Sequence, residues 1–326
     1  MKHILVSGGA GYIGSHMCKL LQNSGFSVIC FDNLSTGFKE LAKYGIFIKG
    51  DLLNCDDIEN IFKTYKIEAV FHFAAFAYVG ESVQDPKRYY QNNVIGSINL
   101  FDAMLKYNVK KIVFSSTCAT YGVAKYIPID EQHPQHPINP YGQTKLMIEK
   151  ILQDYDKAYG LKSVILRYFN VAGASFDRAI GEMHSPEPHL IPNLLDVSIG
   201  KKEYAQIFGD NYNTKDGTCV RDYIHVEDLV LAHLKALYYL KEKEQSQIFN
   251  LGNGQGYSIL EIVKTIKKIT QKELPYRIKP RREGDPDILI SNYEKAKKEL
   301  NWTPKYGIEE IISSALAWHK KLKVDM

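Results

Sequence analysis

Tyr141 and Lys145 stand four residues apart where a helix-like stretch opens, after a proline-rich loop from Pro134 to Pro140. That spacing puts both side chains on one helix face, a turn apart. A free phenol titrates near pKa 10, roughly three units too high for an easy base at neutral pH. A neighbouring ammonium favours the phenolate, and the gap of about 4 kcal/mol is within reach of two positive charges in a desolvated pocket. Thr117, closing the run Ser115-Ser116-Thr117, adds a hydroxyl able to donate to a substrate oxygen or relay its proton. The chemistry is that of a general base with a hydroxyl partner. Tyr-x-x-x-Lys is a common helical spacing in a chain with 22 tyrosines, so its meaning depends on what lies upstream.

Upstream, GGAGYIG from Gly8 to Gly14 follows an apolar run directly and opens an amphipathic stretch. It contains Gly9-x-Gly11-x-x-Gly14 and equally Gly8-x-x-Gly11-x-x-Gly14. Glycines there permit a tight turn and the close approach of a pyrophosphate, whose charge meets the free amides of the following helix. The next apolar run ends in Asp32, about twenty residues beyond the glycines, where a carboxylate accepts hydrogen bonds from the adenosine ribose. It would repel a ribose phosphate, so the expected cofactor is NAD rather than NADP. The positive ring of oxidised NAD is then the second charge acting on Tyr141. Asp51 and Leu52 follow the third run and are placed to reach the adenine. Phe73-Ala74-Ala75 has small side chains where backbone must pass close to a ligand, and with Ser115 to Thr117 it lies at the carboxyl edge of a sheet, where ligands of open α/β sheets bind.

The elements that must hold these residues follow from the pattern. Candidate strands are His3 to Ser7, Ser27 to Asp32, Ile46 to Lys49, Ala69 to Phe73, Lys111 to Ser115 and Ser163 to Arg167, rich in Ile, Val and Phe with little alternation. Such runs suit parallel strands buried on both faces. Between them Gly14 to Ser24, Asp56 to Lys66, Val94 to Tyr107 and Tyr141 to Tyr159 are long enough for crossover helices. The expected fold is α/β, a doubly wound Rossmann-type parallel sheet with a smaller C-terminal substrate-binding α/β region. We place the NAD-binding domain in residues 1–170, with segments near 216–250 returning to it, and the substrate region mainly in 171–326. Segments 171–194 and 201–224 are rich in Pro, Gly, His and Asp, with only short strand-like pieces such as Tyr204 to Phe208. Val226 to Leu240 reads as a helix with Glu227 and Asp228 in its first turn, and Ile259 to Thr270 as another, capped by Ser258 with Glu261 three residues on.

Composition narrows the classes. The 326 residues are 45% hydrophobic without an apolar run of membrane-spanning length, so neither a membrane anchor nor a signal peptide is expected, and the cytoplasm is the default location. A formal charge of +4, from 41 basic against 37 acidic residues, is too small and dispersed to suggest nucleic-acid binding. Five singly scattered cysteines fit reduced thiols. No metal is expected: His133, His136 and His184 make no recognisable ligand set, and the loop Asn213 to Gly217 does not meet the calcium-loop pattern.

GGAGYIG, DNLS (Asp32 to Ser35), FAAFAYVGES (Phe73 to Ser82), SSTCATYG (Ser115 to Gly122), YGQTK (Tyr141 to Lys145) and RYFNVAGA (Arg167 to Ala174) resemble the extended short-chain dehydrogenase/reductases, and among them the UDP-glucose 4-epimerase group. IFGD (Ile207 to Asp210), DGTCVRDYIHVEDL (Asp216 to Leu229), RREGDP (Arg281 to Pro286) and ELNWTP (Glu299 to Pro304) extend the likeness over essentially the whole chain. The resemblance implies tightly bound NAD, hydride removal from C4 of a UDP-hexose while Tyr141 takes the hydroxyl proton, rotation of the 4-keto sugar, and hydride return to its other face. The implied reaction is reversible epimerisation of UDP-galactose and UDP-glucose. It extends the cofactor set to Tyr12 and Ile13 in the glycine turn, to Asn33, Leu34, Ser35, Thr36 and Gly37 after Asp32, and to Ala77, Asn93 and Phe169. For the UDP-sugar it implies Thr117, Tyr141, Asn170, His189, Leu190, Phe208, Arg221, Tyr223, Arg282, Asp285 and Leu289. Arginines suit this task because guanidinium groups meet phosphate oxygens in a bidentate manner.

Several positions depart from the family pattern. Ala77 stands where a lysine is often found, Thr117 replaces a commoner serine, and His189 replaces asparagine. Leu289 stands where a tyrosine limits the sugar pocket in glucose/galactose-restricted members, so UDP-N-acetylhexosamine epimerisation, alone or as a dual activity, is the alternative reading. Family 4,6-dehydratases carry Asp-Glu after the threonine; here Cys118-Ala119 follow Thr117. The resemblance also implies a homodimer joined through Val94 to Tyr107 and Ile148 to Tyr159.

Overall fold

The computed structural model describes residues 1–282 and 285–325, so Glu283 and Gly284 of the RREGDP motif lie outside the described residues. In order along the chain, β1 (His3–Ser7), α1 (Tyr12–Asn23), β2 (Ser27–Asp32), β3 (Ile46–Lys49), α2 (Cys55–Thr64) and β4 (Ile67–His72) form the first half of a doubly wound unit. The short helices α3 (Val79–Gln84) and α4 (Pro86–Tyr89), then α5 (Gly96–Lys106), β5 (Lys111–Thr117), α6 (Pro140–Tyr159) and β6 (Lys162–Tyr168) continue it. The later elements are β7 (Asn170–Ala172), α7 (Leu190–Ser198), β8 (Ala205–Phe208), β9 (Val220–His225), α8 (Val226–Lys243), β10 (Gln247–Leu251), β11 (Gly256–Ser258), α9 (Ile259–Thr270), β12 (Tyr276–Lys279), β13 (Ile288–Leu289), α10 (Glu294–Glu299) and α11 (Ile308–Asp325).

Seven parallel strands form the main sheet in the order β10-β6-β5-β4-β1-β2-β3. The chain winds from β1 toward β3 on one side and from β4 toward β10 on the other. The strand order therefore reverses between β1 and β4, where a crevice opens beyond their carboxyl ends. The central strands are mostly apolar because each face is covered. One layer of core joins α1, α8 and Trp302 to the sheet; the other joins α2, α5 and α6. β3, at the edge, is the exception, with both ends exposed.

Local signals explain where the helices begin. Asn139 caps α6 by accepting the Gly142 amide at 2.8 Å, with Pro140 at the first helical position and Gly160 left-handed at the far end. Ser258 and Glu261 make the expected reciprocal capping box on α9. α8 starts with His225, whose Nδ1 accepts the Glu227 amide, and the carboxylate of Asp228 instead takes the Lys305 and Tyr306 amides.

Three expectations need correction. β4 ends at His72, and Phe73 leaves the strand to donate its amide to the Ser7 carbonyl at 2.9 Å. The helix expected from Val94 begins inside a π-helical turn, Tyr90–Ile95, that links α4 to α5. Residues 220–225, expected as loop, form β9, the strand to which β7, β11 and β13 all pair. VRDYIH shows no apolar alternation and sits among polar, glycine-rich residues, and its burial comes from partners remote in sequence.

Candidate functional site

The glycine turn is fixed by steric necessity. Gly8 has φ +75°, and a β-carbon there would lie 2.5 Å from the Ala74 amide nitrogen. At Gly14 an added carbon would meet the Gly8 carbonyl oxygen at 2.0 Å. Backbone from β1, β4 and α1 thus closes to a distance that admits no side chain, leaving the α1 amides facing the crevice.

Asp32 ends β2 on the same crevice, 9% exposed. Its Oδ2 accepts the Ala10 amide at 3.0 Å and its Oδ1 the Leu34 amide at 2.8 Å. Burial raises its pKa, and the two amides oppose that rise. Leu34 takes a left-handed φ of 63°, turning the loop so that Asn33, Ser35, Thr36 and Gly37 line the cavity with Gly8, Gly11, Asp51, Leu52, Phe73, Ala74 and Ala75. Asn33 Nδ2 donates to Asp51 Oδ2 at 2.9 Å, tying the two expected adenosine segments together. These residues fit a dinucleotide: a side-chain-free cradle for the pyrophosphate and an oriented carboxylate for the ribose.

Other expected cofactor residues have more specific places. Tyr12 donates its phenol to the Gly173 carbonyl at 2.7 Å, which fixes β7's loop over α1. Ile13 packs against the sheet core, Phe169 is 5% exposed, and Ala77 is exposed. Asn93 is fully buried: its Oδ1 accepts the Phe76 amide at 2.9 Å, and its Nδ2 reaches the Phe76 carbonyl and Thr144 Oγ1. The π-helical turn aims Asn93 inward, so its side chain braces the loop after β4 from behind.

Tyr141, Lys145 and Thr117 meet where α6 crosses the end of β5. Lys145 Nζ donates to the Ser115 carbonyl at 2.7 Å and lies 4.8 Å from the centre of the Phe114 ring. Burial lowers its pKa to about 7, against the pull of Glu149. Tyr141, 9% exposed, is held by burial well above the ordinary phenol range, while the Thr117 hydroxyl draws it down. The protein alone therefore favours a neutral phenol, so the expected phenolate needs charge beyond what Lys145 provides.

A buried network behind this trio escaped the sequence reading. Glu149 and Arg167 pair at 2.6 Å with side chains 1% and 2% exposed. Ser116 donates to Glu149, Arg167 Nη1 donates to the Tyr121 hydroxyl at 2.9 Å, and that hydroxyl donates to Asn250 Oδ1 at 2.6 Å. Tyr168 and Ser115 share a 2.5 Å hydroxyl contact. Glu149, one turn beyond Lys145 on the same face of α6, was the available signal: an acid four residues on, on the buried side. Such a satisfied buried pair fixes geometry more than it adds stability.

Of the expected substrate residues, Asn170, Arg221, Tyr223 and Leu289 lie on β7, β9 and β13, Phe208 ends β8, and Arg282 and Asp285 lie between β12 and β13. Asn170 pairs with Tyr223 in register, and Leu289 with Arg221. Arg221 Nη2 donates to Asp285 Oδ1 at 2.5 Å and to the Pro286 carbonyl at 2.8 Å, while the Tyr212 phenol donates to Asp285 Oδ2. Arg282 stacks over Phe208 with 4.1 Å between guanidinium carbon and ring centre. Leu289, 8% exposed, packs with Tyr121, Ile129 and Phe169. Leu190 begins α7, and His189 precedes it with its side chain about half exposed. His133 is buried under Tyr121 and Tyr126, away from His184. His184, left outside any ligand set by sequence, meets His189, Glu182 and Glu187.

The fold and this site define a dinucleotide-dependent enzyme of the extended short-chain dehydrogenase/reductase class. A model of the family described as GDP-mannose 4,6 dehydratase matches residues 5–315, and the chain belongs to that family. A UDP-glucose 4-epimerase of Halalkalibacterium halodurans is 50% identical over 319 residues, covering 98% of this chain and 96% of that protein. The UDP-glucose 4-epimerase of Brucella ovis, solved in complex with NAD, superposes with a TM-score of 0.94 at 46% identity, covering 97% of this chain and 98% of the other. A UDP-Glc/GlcNAc 4-epimerase from Campylobacter jejuni superposes at 0.85 with 42% identity, covering 98% and 100%. No helix among the described residues is long and apolar enough to cross a membrane.

Proposed function

We infer that this chain interconverts UDP-galactose and UDP-glucose by transient oxidation at C4 of the hexose, with NAD retained throughout. The observation that carries this reading is the meeting of Tyr141, Lys145 and Thr117 at the carboxyl end of β5, the strand next to β4, beyond whose end Phe73 to Phe76 line the glycine-turn cavity. Bound NAD supplies the hydride acceptor and donor. Tyr141 takes and returns the C4 hydroxyl proton, and Thr117 holds the substrate oxygen against the phenol. Lys145, anchored on the Ser115 carbonyl one helical turn from Tyr141, would hold the nicotinamide ribose and, in its protonated form, favour the phenolate. Because burial alone raises the Tyr141 pKa, its role as base depends on the added charge of the oxidised ring.

Equivalent chemistry on both sugar faces requires firm hold on the nucleotide and freedom at the hexose. Arg221, Arg282 and Asn170 are assigned to the diphosphate, Asp285 to the uridine ribose, Phe208 and Tyr223 to the uridine side, and His189 and Leu190 to the nucleotide. Dehydration is disfavoured because Cys118, pushed up to about 12 by burial, and Ala119 occupy the place of an acid pair. Leu289 is read as a packing residue beneath the sugar. Proton NMR of the purified protein with UDP-galactose or UDP-GalNAc, without added NAD, tests the assignment. Conversion of UDP-galactose is expected. Failure to convert it with NAD confirmed bound would overturn the reading, and conversion of both would widen it to N-acetylhexosamines.

We also propose a homodimer through the outer faces of α5 and α6, supported by the exposed Met147 and Tyr159 on α6 and by the Tyr155 to Asp102 hydrogen bond that locks the two helices together. Sedimentation velocity would return a monomer if this is wrong. The five free thiols suit a reducing cytoplasm.

A further inference from the structure

Between β7 and α7 the chain carries Glu182, His184, Glu187 and His189, whose ligand atoms all lie within 4.8 Å of one another. His184 Nδ1 is 3.4 Å from Glu182 Oε1 and 3.3 Å from Glu187 Oε2. His189 Nδ1 is 2.7 Å from Glu182 Oε1 and 3.2 Å from Glu187 Oε1. Four nitrogen and oxygen ligands placed tetrahedrally at zinc bonding distance stand about 3.3 Å apart. Three of these four separations are close to that value, with Glu187 offering a different oxygen to each imidazole, so that a small rotation of its carboxylate would present one of them to the ion. The fourth is too short and calls for a small outward movement of His189, the most exposed of the set, which would bind through Nδ1 and keep Nε2 for the nucleotide contact assigned above.

We propose that these four side chains form a tetrahedral site for a zinc-class divalent cation. Glu182 gives the independent support. It is 4% exposed, and its Oε1 points into the cluster without a properly aligned hydrogen-bond partner among the described residues. An ion bound here would displace the imidazole protons that the two carboxylates hold and would then face two carboxylates and two neutral imidazoles, whose two negative charges it neutralises. Mixed imidazole and carboxylate ligation suits zinc and its first-row neighbours.

The surroundings have the form of an outer shell. Trp318 Nε1 donates to the Glu182 carbonyl at 2.9 Å, and Asn193 Nδ2 donates to the Glu187 and His189 carbonyls at 3.0 and 2.7 Å. The Tyr78 ring stands edge-on to both imidazoles, at 5.9 and 6.3 Å between centres. Since all four ligands come from residues 182–189, the ion would hold the lead-in to α7 in one shape, with Tyr78 packed on it from the segment after β4. With four protein ligands it is a structural clip rather than a catalytic metal.

The test uses tag-free protein stripped with EDTA under conditions that retain NAD, then titrated with Co²⁺ and separately with Zn²⁺. We expect one ion per chain by elemental analysis after dialysis, tetrahedral d–d absorption with cobalt, and a rise in Tm with zinc. His184→Gln and Glu187→Gln should each weaken binding at least tenfold. Absence of a stoichiometric ion, an octahedral cobalt spectrum, or unchanged affinity in both variants would overturn the site and leave a metal-free ion-pair cluster. Should either variant fail to fold, the other decides, and the wild-type stoichiometry and spectrum stand by themselves. These readouts do not depend on turnover, so they fail or succeed separately from the epimerase assignment.

Discussion

The two ends of the crevice are built from different materials. At the cofactor end, contact surfaces are backbone: glycines whose β-carbons would clash, and a carboxylate held by two amides. At the proposed substrate end they are long side chains, Arg221 on Asp285 and Arg282 on Phe208, carried by strands and loops of the smaller sheets. Backbone cradles are rigid and tolerate almost no substitution. Side-chain clamps can release and re-form, which suits an enzyme that keeps one ligand and exchanges the other.

The sharpest test of the division is Tyr141→Phe, which removes the base but neither end's binding surface. We expect kcat to fall by about 10² to 10⁴-fold, the range of general acid–base catalysis, with NAD content and KM near wild type. A loss of cofactor in this variant would mean that the two ends are not separable. Gly14→Ala attacks the rigid end: the new carbon must displace the Gly8 carbonyl from 2.0 Å. The glycine turn then opens, and NAD retained through purification should drop on the order of a hundredfold. Retention of full cofactor would show that the turn has more give than its packing implies.

The same contrast extends to histidines. Around the main sheet His16, His72, His225 and His233 are buried, and burial lowers their pKa values to about 4, 3, 3 and 4. Each binds its proton only in the unfolded chain between its native pKa and 6.5, so unfolded molecules hold more protons in that window. Stability is therefore fully present above pH 6.5 and falls as pH drops toward 4, with a limiting slope of about 1.4 kcal/mol per pH unit for each histidine. Urea melts between pH 7 and 5 should show a falling midpoint with unchanged m-value. A flat profile would mean that these rings are charged in the folded protein.

How much could be read beforehand follows the same line. Gly8 to Gly14, Asp32 and the Tyr141–Lys145 spacing are local, and a motif of backbone constraints leaves its mark in consecutive residues. β9 left little, because VRDYIH is buried by β7, β11 and β13, which come from distant parts of the chain. The inward turn of Asn93 depends on a single π-helical turn, which no residue pattern specifies. The Glu149–Arg167 pair joins a helix to a strand through the Ser116 and Tyr121 hydroxyls, so its partners become visible only once β5 and β6 are side by side. Glu182, His184, Glu187 and His189 are close in sequence, yet their coming together depends on the course of the intervening loop.

Arg282→Ala is the mildest way to sharpen the comparison. Its guanidinium stacks on Phe208 at 4.1 Å, and the residue is exposed, so removal should leave fold and cofactor untouched. An exposed charge-assisted contact to a phosphate is worth about 1.4 kcal/mol, which predicts roughly a tenfold rise in KM for the UDP-sugar. Because the lost contact is to the nucleotide end and is made equally in ground and transition states, kcat should hold. A fall in kcat at unchanged KM would place Arg282 in the sugar's path instead, and the flexible end of the crevice would then include the reacting ring itself.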